Sequence, residues 1–283
     1  MRWCLLLITL YTTQGFAETS LWRVSNGTNT LFIGGTIHVL SKTDYPLPAA
    51  FDAAYKESSK LVFETDIDAS ENPAFAQTML QRMMFTGEQS LKGVLRPDVY
   101  AQLEKFGAAR GVPMVMLEKM RPVMAVMTLT FMELQRLGMA DTGVDSYFYQ
   151  RAQADKKMLG YLESNEQQLD FITNMGKGRE NDFVLYSLKD LENIENIMQK
   201  LKAAWRSGDN DELAALSLAS MRQDFPQIYQ QLLVERNQNW LPLIESMLND
   251  PGTEMILVGA LHLVGKEGVL HTLREKGYRI EQW

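Results

Sequence analysis

Leu31-Phe-Ile-Gly-Gly-Thr-Ile-His38 is the stretch from which the fold is read, and Met255-Ile-Leu-Val-Gly-Ala-Leu-His262 repeats its pattern near the other end of the chain. Each is an apolar run, then Gly, a small residue, an aliphatic residue and His, with one more aliphatic residue, Val39 or Leu263, behind it. An uninterrupted apolar run ending in Gly reads as a central strand opening into a turn. A histidine just past such a strand points into the crevice where open α/β sheets place their ligands. The chain has three histidines and two of them fall in this context, which favours a shared role over two unrelated core strands.

Outward from the first stretch, Leu21–Val24 and Thr30–Gly34 flank Asn26-Gly27, a hairpin turn signal. Next come an amphipathic segment, Ala49–Ser58, and a strand, Lys60-Leu-Val-Phe-Glu-Thr-Asp66. Strand side chains alternate, so Glu64 and Asp66 are expected on one face at its end. Residues 73–157 carry a mainly helical pattern, punctuated by Gly and Pro, with Asp141–Asp145 as a turn and cap. Lys157–Leu162 reads as a third strand ending at Glu163, and Ser164-x-x-Gln167 as a helix-opening capping box. Long helices are expected over Asn181–Trp205 and Asp209–Phe225, and a helical stretch from Pro226 to Met247. A strand over Glu254–Gly259, a helix over Leu263–Lys276 and a short strand at Tyr278–Ile280 complete the chain. The expected class is α/β: a central sheet with strand–helix units from both chain ends and a largely helical middle insertion.

Met1-Arg2, the apolar run Trp3–Leu10 and small residues at Gly15 and Ala17 read as a secretory signal cleaved after Ala17, against an uncleaved anchor or a buried first helix. The run is too short to span a bilayer comfortably. Residues 18–283 then form one α/β domain, periplasmic or secreted, with no integral membrane span. Removing Arg2 leaves 27 basic against 35 acidic residues, a net charge of −8. That balance disfavours nucleic acid, whose phosphates need a positive surface. The only cysteine, Cys4, lies in the signal, so the mature chain has no thiol ligand and no disulfide.

His38, Glu64, His262 and Asp66 follow apolar strands, and one sheet can bring them to one edge. Two imidazoles with one or two carboxylates make a divalent-metal set. H-E-x-x-H and G-x-S-x-G are both absent, which sets aside the common zinc-peptidase helix and the serine-hydrolase elbow. Glu163 reads either as a general base or further ligand, or as a first-turn helix charge. Arg236 reads either as an oxyanion or carboxylate partner, or as an exposed helix residue. His271 reads as structural or exposed. The methionines at 114, 116, 120, 124, 127, 132 and 139 read as core of the helical middle or as an adaptable binding wall.

The chain resembles the TraB/PrgY/GumN family, whose animal relatives are the Tiki proteins. The matching pieces run in order: Trp22-Arg-Val24, Leu31–Leu40, Phe63-Glu-Thr-Asp66, Gly143-Val-Asp145, Leu162-Glu163, Glu166–Leu169, Trp205–Asp209, Glu235-Arg-Asn237, Trp240 and Val258–Leu263 onward to Gly277-Tyr278. It departs at Arg121-Pro-Val123, where the family often has an aromatic after Arg-Pro. The resemblance implies a fold similar to erythromycin-esterase and ChaN-like proteins, with both G-x-x-H motifs and the strand glutamate at one site. For Tiki-like members it implies a metal-dependent peptidase, with manganese or cobalt favoured and zinc possible. Carried to matching positions, the metal ligands are His38, Glu64 and His262, and Arg236 matches a family motif. The expected function is an exported metal-dependent hydrolase acting on a peptide or small-molecule substrate. The alternatives are a non-catalytic binder of such ligands, or a metal or haem carrier.

Overall fold

The computed structural model describes residues 19–283, the side chains of 70 and 71 excepted; the expected signal, residues 1–17, lies outside the described residues. Six strands form one mixed sheet: β1 (Leu21–Ser25), β2 (Thr30–Thr36), β4 (Lys60–Phe63), β6 (Met158–Tyr161), β7 (Glu254–Gly259) and β8 (Arg279–Gln282). The short β3 (Val39–Leu40) and β5 (Asp141–Thr142) pair apart from it. Across the sheet the order is β6-β4-β7-β2-β1-β8. β6, β4, β7 and β2 are parallel, whereas β1 runs against both β2 and β8.

Parallel strands covered on both faces need continuous apolar runs rather than alternation. Accordingly, Leu31, Phe32 and Ile33 of β2 and Met255 through Val258 of β7 are all buried. Register places Thr36 beside Gly259 and Phe63 beside Leu257 and Tyr161, so four parallel strands end at one rim. The echo between the two opening stretches thus has a structural meaning: they are neighbouring parallel strands.

The middle of the chain is helical, as its pattern implies. Helices Pro73–Met83, Pro97–Ala108, Pro122–Arg136 and Glu180–Glu192 build a second apolar cluster away from the sheet. Met114, Met120, Met124 and Met132 pack against it and Met139 is buried, while Met116 and Met127 are exposed. These methionines are mainly core of the helical middle. Val123, at the Arg-Pro departure, is buried in the same cluster. No helix among the described residues is long and apolar enough to cross a membrane.

The last strand runs over Arg279–Gln282 rather than 278–280, Asp141–Thr142 is a short strand rather than a turn, and three larger boundaries differ from the sequence reading. β4 stops at Phe63 because Asp66 caps the helix Ile67–Glu71, its carboxylate accepting from Ala69 N. Asn193 divides the expected 181–205 helix into Glu180–Glu192 and Ile194–Ser207, its side-chain amide donating to the Lys189 carbonyl. The expected 263–276 helix begins only at Val269. Ahead of it lie a 3-10 turn, Ala260–His262, and Gly265 at φ +81°.

Candidate functional site

The strand rim delivers the side chains. His38 lies two residues beyond β2, Glu64 directly beyond β4, Glu163 two beyond β6 and His262 three beyond β7. The clearest measure of their convergence is Gly259. A Cβ there would stand 3.3 Å from Glu64 Oε1, 3.6 Å from His262 Cδ2 and 3.7 Å from His38 Nε2. The two G-x-x-H histidines and the strand glutamate therefore surround one point, and a glycine keeps that point open.

Arg236 is the buried cation of the cluster. It follows a π-helical segment, Gln230–Glu235, the kind of helix irregularity that recurs at functional sites. All its donors are engaged. Nε and Nη2 hold Glu163 as a fork at 3.0 and 2.6 Å, and Nη2 also donates to Glu64 Oε2 at 2.5 Å. Nη1 reaches the Leu232 carbonyl at 3.3 Å and His262 Nε2 at 3.0 Å. Burial works against the Glu64 anion, but Arg236, the neighbouring imidazoles and the Gly259 N–H outweigh it and hold its pKa down at about 2. Burial dominates at Glu163 and raises its pKa in spite of the guanidinium. Trp240 Nε1 gives Glu163 a further donor at 3.2 Å.

The histidines are held by different partners. His262 is buried against Trp240, with ring centroids 4.4 Å apart, and its Nδ1 lies 2.7 Å from Asn237 Oδ1. Burial depresses its pKa to about 3, so the ring is neutral near pH 7. His38 is exposed, and its Nδ1 lies 2.8 Å from Asp145 Oδ2, whose charge raises the imidazole pKa. Gly143 makes that contact attainable: a Cβ there would meet the His38 carbonyl oxygen at 2.2 Å, so only glycine starts the helix Val144–Ala154 this close.

Asp145, Asn237 and Thr36 were not among the sequence candidates. The first two had a signal, since Gly143-Val-Asp145 and Glu235-Arg-Asn237 are among the matching pieces, yet nothing in their spacing says which histidine each one holds. Thr36 is the residue before Ile37 in the first motif; its hydroxyl is buried without a hydrogen-bond partner among the described residues, as is Asp145 Oδ1. Asp66 is the converse. It is not brought to the cluster, because its carboxylate caps a helix and accepts from Tyr149. Glu163 is buried with Arg236 and lies ahead of the Ser164 cap, so it is not a first-turn charge. His271 pairs with Glu275 on a peripheral helix.

Two cavities meet at the cluster and share Thr36, His38, Glu64, Leu232 and Arg236 in their walls. One, of about 410 Å³, continues past Gln168, Ser146 and Phe171; the other, of about 340 Å³, runs between aliphatic side chains. None of the seven middle-segment methionines lines either.

The donor chemistry fits a divalent cation. His38 and His262 each engage an oxygen through Nδ1, the arrangement by which metal-binding histidines are oriented with Nε2 free for the ion. His38 carries a proton near pH 7 as the site stands, its pKa raised to about 9 by the Asp145 charge, so a cation at its Nε2 has to displace that proton. Among the described residues, however, no three His, Asp or Glu side chains stand close enough to hold an ion together. His262 Nε2 accepts from Arg236 as the site stands, so metal and guanidinium compete for that lone pair.

Comparison with known proteins gives two kinds of match. The model of the TraB/PrgY/gumN family matches residues 20–282. The chain is also similar to the uncharacterized protein YbaP of Escherichia coli (strain K12), 23% identical over 246 residues covering 85% of this chain and 86% of the relative. YbaP of Shigella flexneri is similar to the same extent. No solved structure matches the chain.

Proposed function

Since the chain belongs to the TraB/PrgY/gumN family, we propose that it is an exported, metal-dependent hydrolase of peptide bonds, working in the periplasm or outside the cell. The observation that carries this reading is the convergence of His38, Glu64 and His262 around Gly259, where two cavities meet. His38, Glu64 and His262 would hold the ion, with manganese or cobalt favoured and zinc possible. When bound, such an ion supplies a water of lowered pKa and polarises the scissile carbonyl.

The chain's own groups do the rest. Asp145 orients His38, and Asn237 fixes the His262 tautomer. Glu163 lines neither cavity and holds Arg236 and Trp240 in place, whereas Glu64 lines both and is the carboxylate that faces substrate. Arg236 offers its charge rather than a free donor, and that charge offsets the negative charge growing on the carbonyl oxygen.

Metal analysis and a peptide-cleavage assay on the purified chain, with and without chelator, test this reading. Wild type retains a divalent ion and cuts peptides in a chelator-sensitive way, and His262→Ala loses both while keeping its circular dichroism spectrum. Unchanged metal content in that variant removes His262 from the ligand set. A second reading, a binder of peptides or small ligands without turnover, is favoured by the full engagement of Arg236, which leaves the floor of the site locked. Retention of intact peptide in the same assay identifies that case.

A further inference from the structure

The two cavities at the cluster differ in chemistry. Beyond the shared wall, the smaller one is bounded by Ile37, Val39, Leu134, Met198, Leu201 and Leu261, and its polar groups are confined to the wall that also carries the cluster. There Glu64 and Arg236 are paired and His262 is hydrogen-bonded at both ring nitrogens. No unpaired charge reaches into the aliphatic part. A polar or charged group placed there would lose its water without gaining a partner, at a cost that an apolar group avoids. The larger cavity offers the side chains of Gln168, Ser146 and Thr65, which suit amide groups of a peptide backbone.

Thr36 joins the two. It lies in the wall of both cavities and so forms part of their common floor. A substrate lying across the shared wall places its reacting carbonyl beside His38 and Glu64, which line both cavities, with one flanking group in the aliphatic cavity. At about 340 Å³ that cavity is near the small end of ligand pockets and takes one bulky group rather than an extended segment.

We propose that the substrate class is peptides carrying a bulky aliphatic or aromatic residue directly beside the scissile bond, seated in the cavity of Ile37, Leu134, Met198 and Leu201. This rests on the hydrolytic reading of the same site.

The test uses the purified chain supplied with manganese and a mixture of hexapeptides randomised at the two central positions, with cut bonds located by mass spectrometry. Cleaved bonds are expected to carry Leu, Phe, Met or Ile on one constant side, favoured over Ser, Asp and Lys by at least about tenfold. Met198→Trp, which fills the cavity from a half-buried helix position, is expected to shift the ratio toward Ala and Gly by a similar factor. Leu201→Phe serves if that variant does not fold. Cleavage without an apolar preference, or a preference unchanged in a folded variant, overturns the proposal.

Absence of any cleavage overturns the hydrolytic reading instead. Titration calorimetry with N-acetyl-leucinamide and N-acetyl-serinamide then reads the cavity directly. Tighter binding of the leucine compound, lost in the Met198 variant, supports an apolar subsite in a binder. Equal binding, or none, overturns the subsite itself.

Discussion

Arg236 Nη1 lies 3.0 Å from His262 Nε2, and because a guanidinium has no lone pair, the imidazole is the acceptor. This one contact fixes the His262 tautomer: the proton is on Nδ1 and is donated to Asn237 Oδ1 at 2.7 Å. It also ties the second G-x-x-H motif to a helix that supplies no strand to the sheet.

Removing that cation leaves Glu64 and Glu163 buried without it. Arg236→Met is therefore expected to lower unfolding stability by about 3–5 kcal/mol, the usual cost of breaking a buried pair by deleting one partner. Arg236→Lys recovers part of the loss, since an ammonium keeps the charge but not the fork that grips Glu163. Urea denaturation of the three proteins checks both the size and the order.

Acid should weaken the fold in two stages. His262 titrates at about 3 when folded against an ordinary 6.5, so below pH 6.5 the unfolded chain takes up a proton that the folded chain refuses. Stability falls with decreasing pH through that window, at about 1.4 kcal/mol per pH unit for one proton. Glu64, at about 2 against 4.5, adds a second loss between those values. His262→Gln should flatten the first stage and keep the second. An equally steep profile between pH 6 and 5 in the variant would contradict this account.

Asp145→Asn removes the charge that raises the His38 pKa. Proton NMR titration, practicable with so few histidines, should show the His38 ring returning toward its ordinary value. Metal affinity in the same variant should drop by roughly 10–100-fold, as for other lost histidine-orienting partners. A shifted ring pKa with unchanged metal affinity would keep the electrostatics and reject the ligand role.

The sequence pattern reached the strand ends more securely than the contacts beyond them. His38, Glu64 and His262 are legible because each follows an apolar run, and parallel strands in one sheet end at one rim. Asp66 shows the limit: alternation past Phe63 pointed it at Glu64, but the chain had already left the strand to cap a helix. Arg236 could not be separated from an exposed helix residue, because the partners that hold it, Glu64, Glu163 and His262, come from three distant segments. Asn193 was misjudged for a local reason, since an asparagine inside a helical pattern gives no sign that its side chain will take up a backbone carbonyl and end the helix.

Thr36→Val tests the orphaned hydroxyl. Valine keeps the shape and removes a buried group without a partner, so stability should hold or rise slightly. Urea denaturation checks this, and a loss of more than about 1 kcal/mol would contradict it.

The place of β7 governs when this protein can come together. It lies between β2 and β4 but is made of residues 254–259, so both neighbours wait for nearly the whole chain before they are joined. While the polypeptide is being synthesised, β1 with β2 and β4 with β6 are separate fragments of sheet, and their union depends on pairings distant in sequence, which form slowly. His262 arrives with the same strand, so a product that stops before β7 carries only His38 of the two motif histidines. The consequence is that the sheet stays in two pieces until residues 254–259 are available to join them.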